Sequence, residues 1–236
     1  MGEPLPTVLV PGLNCSARLY ADQIPALWRF GPLLIADHTR DDSMGAIAAR
    51  ILNAAPPRFA LIGLSMGGYI ALEIMSQAPA RVAKLALLDT GARADTPEQT
   101  ERRHRQIELA QTGRFAEVPE LLFPLLVHRN RHGDAKLKEI NRLMAQDTGP
   151  EAFVRQQRAI MRRADLRPSL AAIRCPTLVL VGDGDELTLP ALAQEIAAGI
   201  AGARLVTVPD SGHLSTLEQP KTVNLALIDW MESTSD

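Results

Sequence analysis

The residues Gly63-Leu64-Ser65-Met66-Gly67 follow the apolar run Phe59-Ala60-Leu61-Ile62 and precede the apolar-periodic stretch Tyr69-Ile70-Ala71-Leu72-Glu73-Ile74-Met75. A strand that ends there, turns sharply and restarts as a helix sets Ser65 at the apex of the turn with its hydroxyl pushed outward. Glycines at 63 and 67, helped by Gly68, lack the Cβ that would hold the two backbones apart. A serine displayed in this way is suited to nucleophilic attack on an acyl carbon. It is inert at its own pKa, so it needs a base within hydrogen-bond reach and an acid to orient that base.

Five histidines are available. His213 is the outstanding candidate, lying in Asp210-Ser211-Gly212-His213-Leu214, after the last strand-like run and before a C-terminal helix. A loop at that point returns to the carboxyl edge of a parallel sheet, where Ser65 is expected. His38 follows a strand on the wrong side of the serine turn, and His104, His128 and His132 fall in the middle of the chain. His128 and His132 are spaced four apart, as two metal ligands on a helix can be. No carboxylate lies between them, and Arg129-Asn130-Arg131 reads as a solvated turn, so no metal site is expected. For the acid, the run Thr177–Val181 leads into Gly182-Asp183-Gly184-Asp185. Asp185, past the strand end, is the better choice, because Asp183 belongs to the tight turn. Asp89, at the end of an earlier strand, is its rival, and Asp210 reads as a turn former. A developing oxyanion needs two backbone N–H donors. Met66, at the start of a helix, supplies one; Leu13, in the loop Val10-Pro11-Gly12-Leu13-Asn14-Cys15, is the best candidate for the other, with Asn14 as a further polar contact.

These residues need a scaffold that brings them to one edge. Apolar, β-branched runs at Thr7–Val10, Leu33–Ala36, Phe59–Leu64, Val82–Leu88, Thr177–Val181 and Arg204–Val208 read as buried parallel strands. Helix patterns fill the intervals at Ala21–Trp28, Ser43–Ala54, Met66–Gln77, Leu189–Ile200 and Thr222–Met231. The alternation predicts an α/β chain: an open, mostly parallel sheet with helices on both faces. It breaks after Leu88-Asp89-Thr90-Gly91, where helical, Arg-rich patterns run on with no strand signal until Thr177. The expected organisation is one domain, a core of residues 1–91 and 169–236 with a helical cap of 92–168 over the strand ends, where open α/β sheets bind ligands.

Composition narrows the classes further. With 46% hydrophobic residues and a mean hydropathy near zero, but no run approaching a membrane span, a soluble globular protein is expected. Met1-Gly2-Glu3-Pro4-Leu5-Pro6 lacks the basic and apolar regions of a secretory signal, and Pro6 stands where myristoylation wants Ser or Thr, so a cytoplasmic location is expected. Cys15 and Cys175 have no metal-ligand spacing and read as free thiols. The net charge of −2 is unevenly spread: residues 92–168 hold 15 Lys and Arg against 11 Asp and Glu, the rest 10 against 16. The basic residues are mixed with acids and the few aromatics show no stacking pattern, which argues against nucleic acid. Solvated helix faces are the leading reading of this distribution; a basic lid that favours an anionic small-molecule substrate is the sharper alternative.

Taken together, ValLeuValProGlyLeu (8–13), GlyLeuSerMetGlyGly (63–68), ValGlyAspGlyAspGluLeuThrLeuPro (181–190) and GlyHisLeuSerThrLeuGluGlnPro (212–220), in that order, resemble the loops of the α/β-hydrolase fold superfamily. The resemblance covers nearly the whole chain and is nearest to the small capped esterases, enol-lactonases and carbon–carbon bond hydrolases. It implies a triad Ser65, Asp185, His213 and an acyl-enzyme on Ser65, acting on a small carboxylic ester or lactone without a cofactor. Thioester, carbon–carbon or amide cleavage, perhydrolysis, and a receptor role without turnover are the alternatives on the same fold. The chain departs from many of these proteins in having Pro11 where a histidine often precedes the oxyanion glycine, and in an N-terminus with little room for two further strands.

Overall fold

The computed structural model describes residues 4–233; the reading of Met1-Gly2-Glu3 as lacking a leader lies outside these residues. Six strands, β1 (Thr7–Val10), β2 (Leu33–Ile35), β3 (Phe59–Leu64), β4 (Val82–Leu88), β5 (Thr177–Gly182) and β6 (Arg204–Val208), form one all-parallel sheet in the order β2-β1-β3-β4-β5-β6. They fall where the apolar runs predict them, to within a residue. Side chains alternate across the sheet, so Val8, Val10, Leu61, Leu87 and Val179 enter one core while Leu9, Ile62, Leu64, Leu88 and Leu180 enter the other.

The first core is closed by α2 (Met44–Ala54), α3 (Met66–Gln77) and α8 (Pro190–Gly199), through residues such as Ile47, Ile51, Ile70, Ile74 and Ile196. The second is closed by α1 (Gln23–Leu27) and α10 (Pro220–Glu232), through Leu27, Val223, Leu227 and Trp230. The helix expected over Ala21–Trp28 is only five residues long and is flanked by 3-10 turns at Ala17–Tyr20 and Trp28–Phe30. Pro25 has no N–H to donate and is tolerated there only because the helix has barely begun.

Between β4 and β5 the chain inserts α4 (Pro97–Gln111), α5 (Glu117–Leu126), α6 (Ala135–Thr148) and α7 (Pro150–Met161). Thr96 caps α4 reciprocally with Gln99, and Asp134 caps α6 through Leu137 N–H. Ile107, Ala110, Val118, Phe153 and Val154 form a small core of this insertion, with Phe115 and Phe153 in tilted contact at 5.5 Å. A four-residue helix, α9 (Ser215–Glu218), precedes α10. No helix of the described residues is long and apolar enough to cross a membrane.

The sheet order reverses at β1, which lies between β2 and β3. Ligands of open α/β sheets bind outside the carboxyl ends of the strands at such a switch point. Val10 is in register with Gly63 and Leu64 with Leu88, so the loops after β1, β3 and β4 leave the sheet side by side.

Candidate active site

Ser65 is the first residue beyond β3 and has φ 57° and ψ −117°, a conformation that costs a residue with a Cβ on the order of 1–3 kcal/mol. The surroundings over-determine it. Its N–H donates to Leu88 O at 2.9 Å, and its carbonyl accepts from Thr90 Oγ1 at 2.8 Å and from Gly68 N–H at 2.9 Å. Buried hydrogen bonds contribute about 1 kcal/mol each, so three of them offset the strain. A Cβ on Gly63 would run into the Gly67 carbonyl, and one on Gly67 into the Val10 carbonyl. The closeness of α3 to the sheet is what leaves Ser65 nowhere to put its side chain but outward.

His213 Nε2 lies 2.7 Å from Ser65 Oγ, and His213 Nδ1 lies 2.8 Å from Asp185 Oδ2. All three are buried, Ser65 being the most exposed at 9%. Asp185 is fixed further by Leu187 N–H and Thr188 N–H on Oδ1, at 2.8 and 2.9 Å, and by Thr188 Oγ1 on Oδ2 at 2.7 Å. Burial alone would push this carboxyl up; the charge of His213 and the hydrogen bonds from His213 and Thr188 outweigh it and hold Asp185 below the usual carboxylate range. Burial likewise works to lower the His213 pKa, and the charge and hydrogen bond of Asp185 reverse it, leaving the imidazole above its ordinary value.

Asp89 does not reach the imidazole. Its Oδ1 accepts from Gly182 N–H at 2.9 Å and its Oδ2 bonds Ser215 Oγ, which joins β4, β5 and α9 beneath the site. Burial, and next the charge of Asp185, push the Asp89 carboxyl up to about 8. Asp183 accepts from Ser211 N–H at 3.2 Å within the turn, and Asp210 takes a left-handed φ of 53°.

The Leu13 and Met66 N–H groups donate to no acceptor among the described residues. Leu13 lines the cavity beside Ser65, whereas the Met66 side chain is wholly buried in the core and leaves its backbone, at the first position of α3, as the group near Ser65. Two buried residues brace the Leu13 loop: Gln156 of α7, which the sequence reading does not single out, accepts from Asn14 N–H at 3.0 Å, and His38, set aside there as a base and with a pKa that burial lowers, bonds Gly12 O through Nε2 at 2.9 Å. His38 thus supports this loop from behind. Asn14, with φ 59°, also faces the cavity, and its buried Oδ1 has no partner among the described residues.

Thr188 and Glu218 were also unanticipated. Thr188 sits three residues past Asp185, a spacing at which Asp caps its own turn, and that pattern could have flagged it. Glu218 is 4% exposed and raised by burial; it accepts from Gly212 N–H at 2.8 Å and His128 N–H at 2.7 Å, tying the His213 loop to the end of α5. Its second partner is ninety residues away in sequence, so no local pattern announces it. His104 and His132 are exposed and far from this arrangement in burial and bonding.

Ser65 and His213 open on a cavity of about 190 Å3. Pro119, Leu122, Leu125 and Leu126 of α5 give it an apolar side, with Ile160 of α7. Along α7, Phe153 is in the core of the insertion with Met161 packed against it, Ile160 faces the cavity, and Gln157 is bonded to Arg103 and Gln106.

Among curated proteins, a Variovorax paradoxus protein that carries the provisional name carbamate hydrolase RutD is 28% identical, over 97% of this chain and 92% of that protein. Of solved structures, an esterase from Thermogutta terrifontis is 30% identical and superposes with a TM-score of 0.88, covering 98% of this chain and 90% of its own. The enol-lactonase of Burkholderia xenovorans LB400 shares the fold at the same TM-score, 24% identical, over 98% and 93%. The family model for alpha/beta hydrolases matches residues 8–226. With that span, and the sheet, turn and loops it covers, this chain belongs to the alpha/beta hydrolase family.

Proposed function

We propose that this chain is a serine hydrolase that cleaves a small carboxylic ester or lactone through an acyl-enzyme on Ser65. The observation that carries the reading is the continuous hydrogen-bonded line from Ser65 Oγ through His213 to Asp185, at 2.7 and 2.8 Å, opening on a cavity. An esterase that is 30% identical over almost the whole chain supports the same reaction class.

In this reading His213 Nε2 takes the Ser65 proton as Oγ bonds to the acyl carbon. The carbonyl oxygen gains the negative charge, and the Leu13 and Met66 N–H groups stabilise it, Met66 with the help of the α3 dipole. His213 then returns the proton to the departing alkoxide. Water attacks the acyl-enzyme, again losing its proton to His213, and the acid leaves with Ser65 restored. Asp185 stays ionised throughout and holds Nδ1–H toward itself, so the tautomer with a free Nε2 lone pair persists.

Turnover of a chain-length series of nitrophenyl esters by wild type and Ser65→Ala, with mass spectrometry after a fluorophosphonate probe, tests this. Turnover lost in the variant with the label on Ser65 is expected. Labelling of Ser65 with negligible turnover on every ester would overturn ester hydrolysis and leave an activated serine that serves another bond or a receptor.

A further inference from the structure

Among the described residues, four that line the cavity are arginines, Arg93, Arg102, Arg103 and Arg163, and none is Asp or Glu. Their countercharges lie outside the lining and do not balance them. Asp95, with a side chain 1% exposed, accepts from Arg103 Nε and Arg163 Nη1, both at 2.6 Å. One carboxylate neutralises one guanidinium, and the side chains that share it are only 14% and 9% exposed, so a positive charge is left over in a poorly solvated wall. Arg93 pairs with Glu195, which also takes Arg167, itself paired with Asp165. Arg102 is in no ion pair among the described residues.

The excess is organised by one helix. Gln99, Arg102, Arg103 and Gln106 are spaced i, i+3, i+4 and i+7, so they make a single face of α4, and that face lines the cavity. The amides are turned by the guanidinium. Arg103 can only donate, so Gln157 presents its oxygen to Arg103 Nη1, at 2.8 Å, and its NH2 to Gln106 Oε1, at 2.6 Å. Gln106 therefore has its own NH2 left as a donor. A face made of guanidinium and amide donors, with no acid on the lining, is a receptor for an anion.

We propose that this face of α4, centred on Arg102, Arg103 and Gln106, binds a carboxylate that the substrate carries in addition to its scissile ester or lactone. The substrate is then a small monoanion, a half-ester of a dicarboxylic acid or a lactone acid, its carboxylate held on α4 and its acyl carbon at Ser65. The cavity volume restricts it to a short carbon chain, since a cavity of about 150 Å3 holds a molecule the size of benzene. This assignment rests on the serine hydrolase reading, with the apolar residues of α5 contacting the carbons between the two ends.

Calorimetric titration of Ser65→Ala with monomethyl glutarate and with dimethyl glutarate compares ligands that differ in the one charge. The half-ester binds at least about tenfold more tightly than the diester, and the ratio shrinks as salt is raised. Arg102→Gln, which breaks no ion pair, reduces the ratio about tenfold. Arg105→Gln, at an exposed position off the lining face, keeps it. Equal binding of half-ester and diester, or an equal loss of ratio in both arginine variants, overturns the assignment. Hydrolysis of monomethyl glutarate and of neutral nitrophenyl esters by the wild type is measured alongside: the absence of both sinks the hydrolase reading alone, while a persisting half-ester preference still establishes the anion site.

Discussion

Asp89→Asn removes a proton equilibrium that ties this fold's stability to pH. Asp89 has no exposed surface, and burial followed by the charge of Asp185 pushes its carboxyl from 3.8 to about 8. Between those values the folded chain keeps the proton and the unfolded chain has lost it. The stability this group contributes is therefore complete at acid pH. It declines by about 1.4 kcal/mol per pH unit above the unfolded pKa, until ionisation of the folded state near pH 8 ends the loss. Asparagine keeps both contacts, accepting from Gly182 N–H and donating to Ser215 Oγ, and has no such proton. Denaturant unfolding of wild type and variant at pH 4.5, 5.5 and 6.5 avoids the range in which His213, raised above 6.5, titrates. Across those two pH units the variant gains about 3 kcal/mol on wild type. Parallel curves would refute the reasoning, because they would mean that folded Asp89 is already ionised at pH 4.5. Turnover separates the two carboxyls: Asp89→Asn retains it to within about tenfold, whereas Asp185→Asn, which releases the imidazole tautomer, loses about 10³- to 10⁴-fold in kcat.

In the proposed mechanism His213 must be neutral to accept the Ser65 proton, so kcat/KM on a neutral ester rises with pH along a limb whose midpoint lies above 6.5, and a midpoint below that value would show burial outweighing Asp185. The same shift makes the protonated imidazole stabilising below its unfolded pKa, a contribution lost as pH rises through the raised folded value. Gly67→Ala forces a Cβ against the Val10 carbonyl, backbone against backbone, and costs at least about 2 kcal/mol, read as a fall in Tm of about 4–8 °C; an unchanged Tm would show that α3 can shift away. Burial pushes the Cys15 thiol up to about 12, and Cys175 is half-buried and less strongly raised, so iodoacetamide at pH 8 labels Cys175 first; prior labelling of Cys15 would contradict its burial.

The six strands and the serine turn are legible in the sequence because each is a local property. A strand buried on both faces must be continuously apolar, and a helix that starts against a strand end must carry glycine where the backbones touch, as at 63 and 67. The candidates Ser65, Asp185 and His213 were readable for a related reason: each follows a strand in a parallel sheet, so chain order alone puts all three at one edge. Which carboxylate meets the imidazole was not decided locally. Asp89 and Asp185 both end strands, and it is the loop from Gly184 to Pro190, tightened by Thr188, that brings Asp185 to Nδ1 while Gly182 and Ser215 hold Asp89 beneath. The roles of Glu218, Gln156 and His38 likewise depend on partners that come close only in the folded chain. The net positive charge of the middle segment is visible in composition, but its use is not. Only the packing of α4 turns Gln99, Arg102, Arg103 and Gln106 toward the cavity and leaves Asp95 shared between two guanidiniums, because the balance of buried charge is set by which side chains meet across the fold.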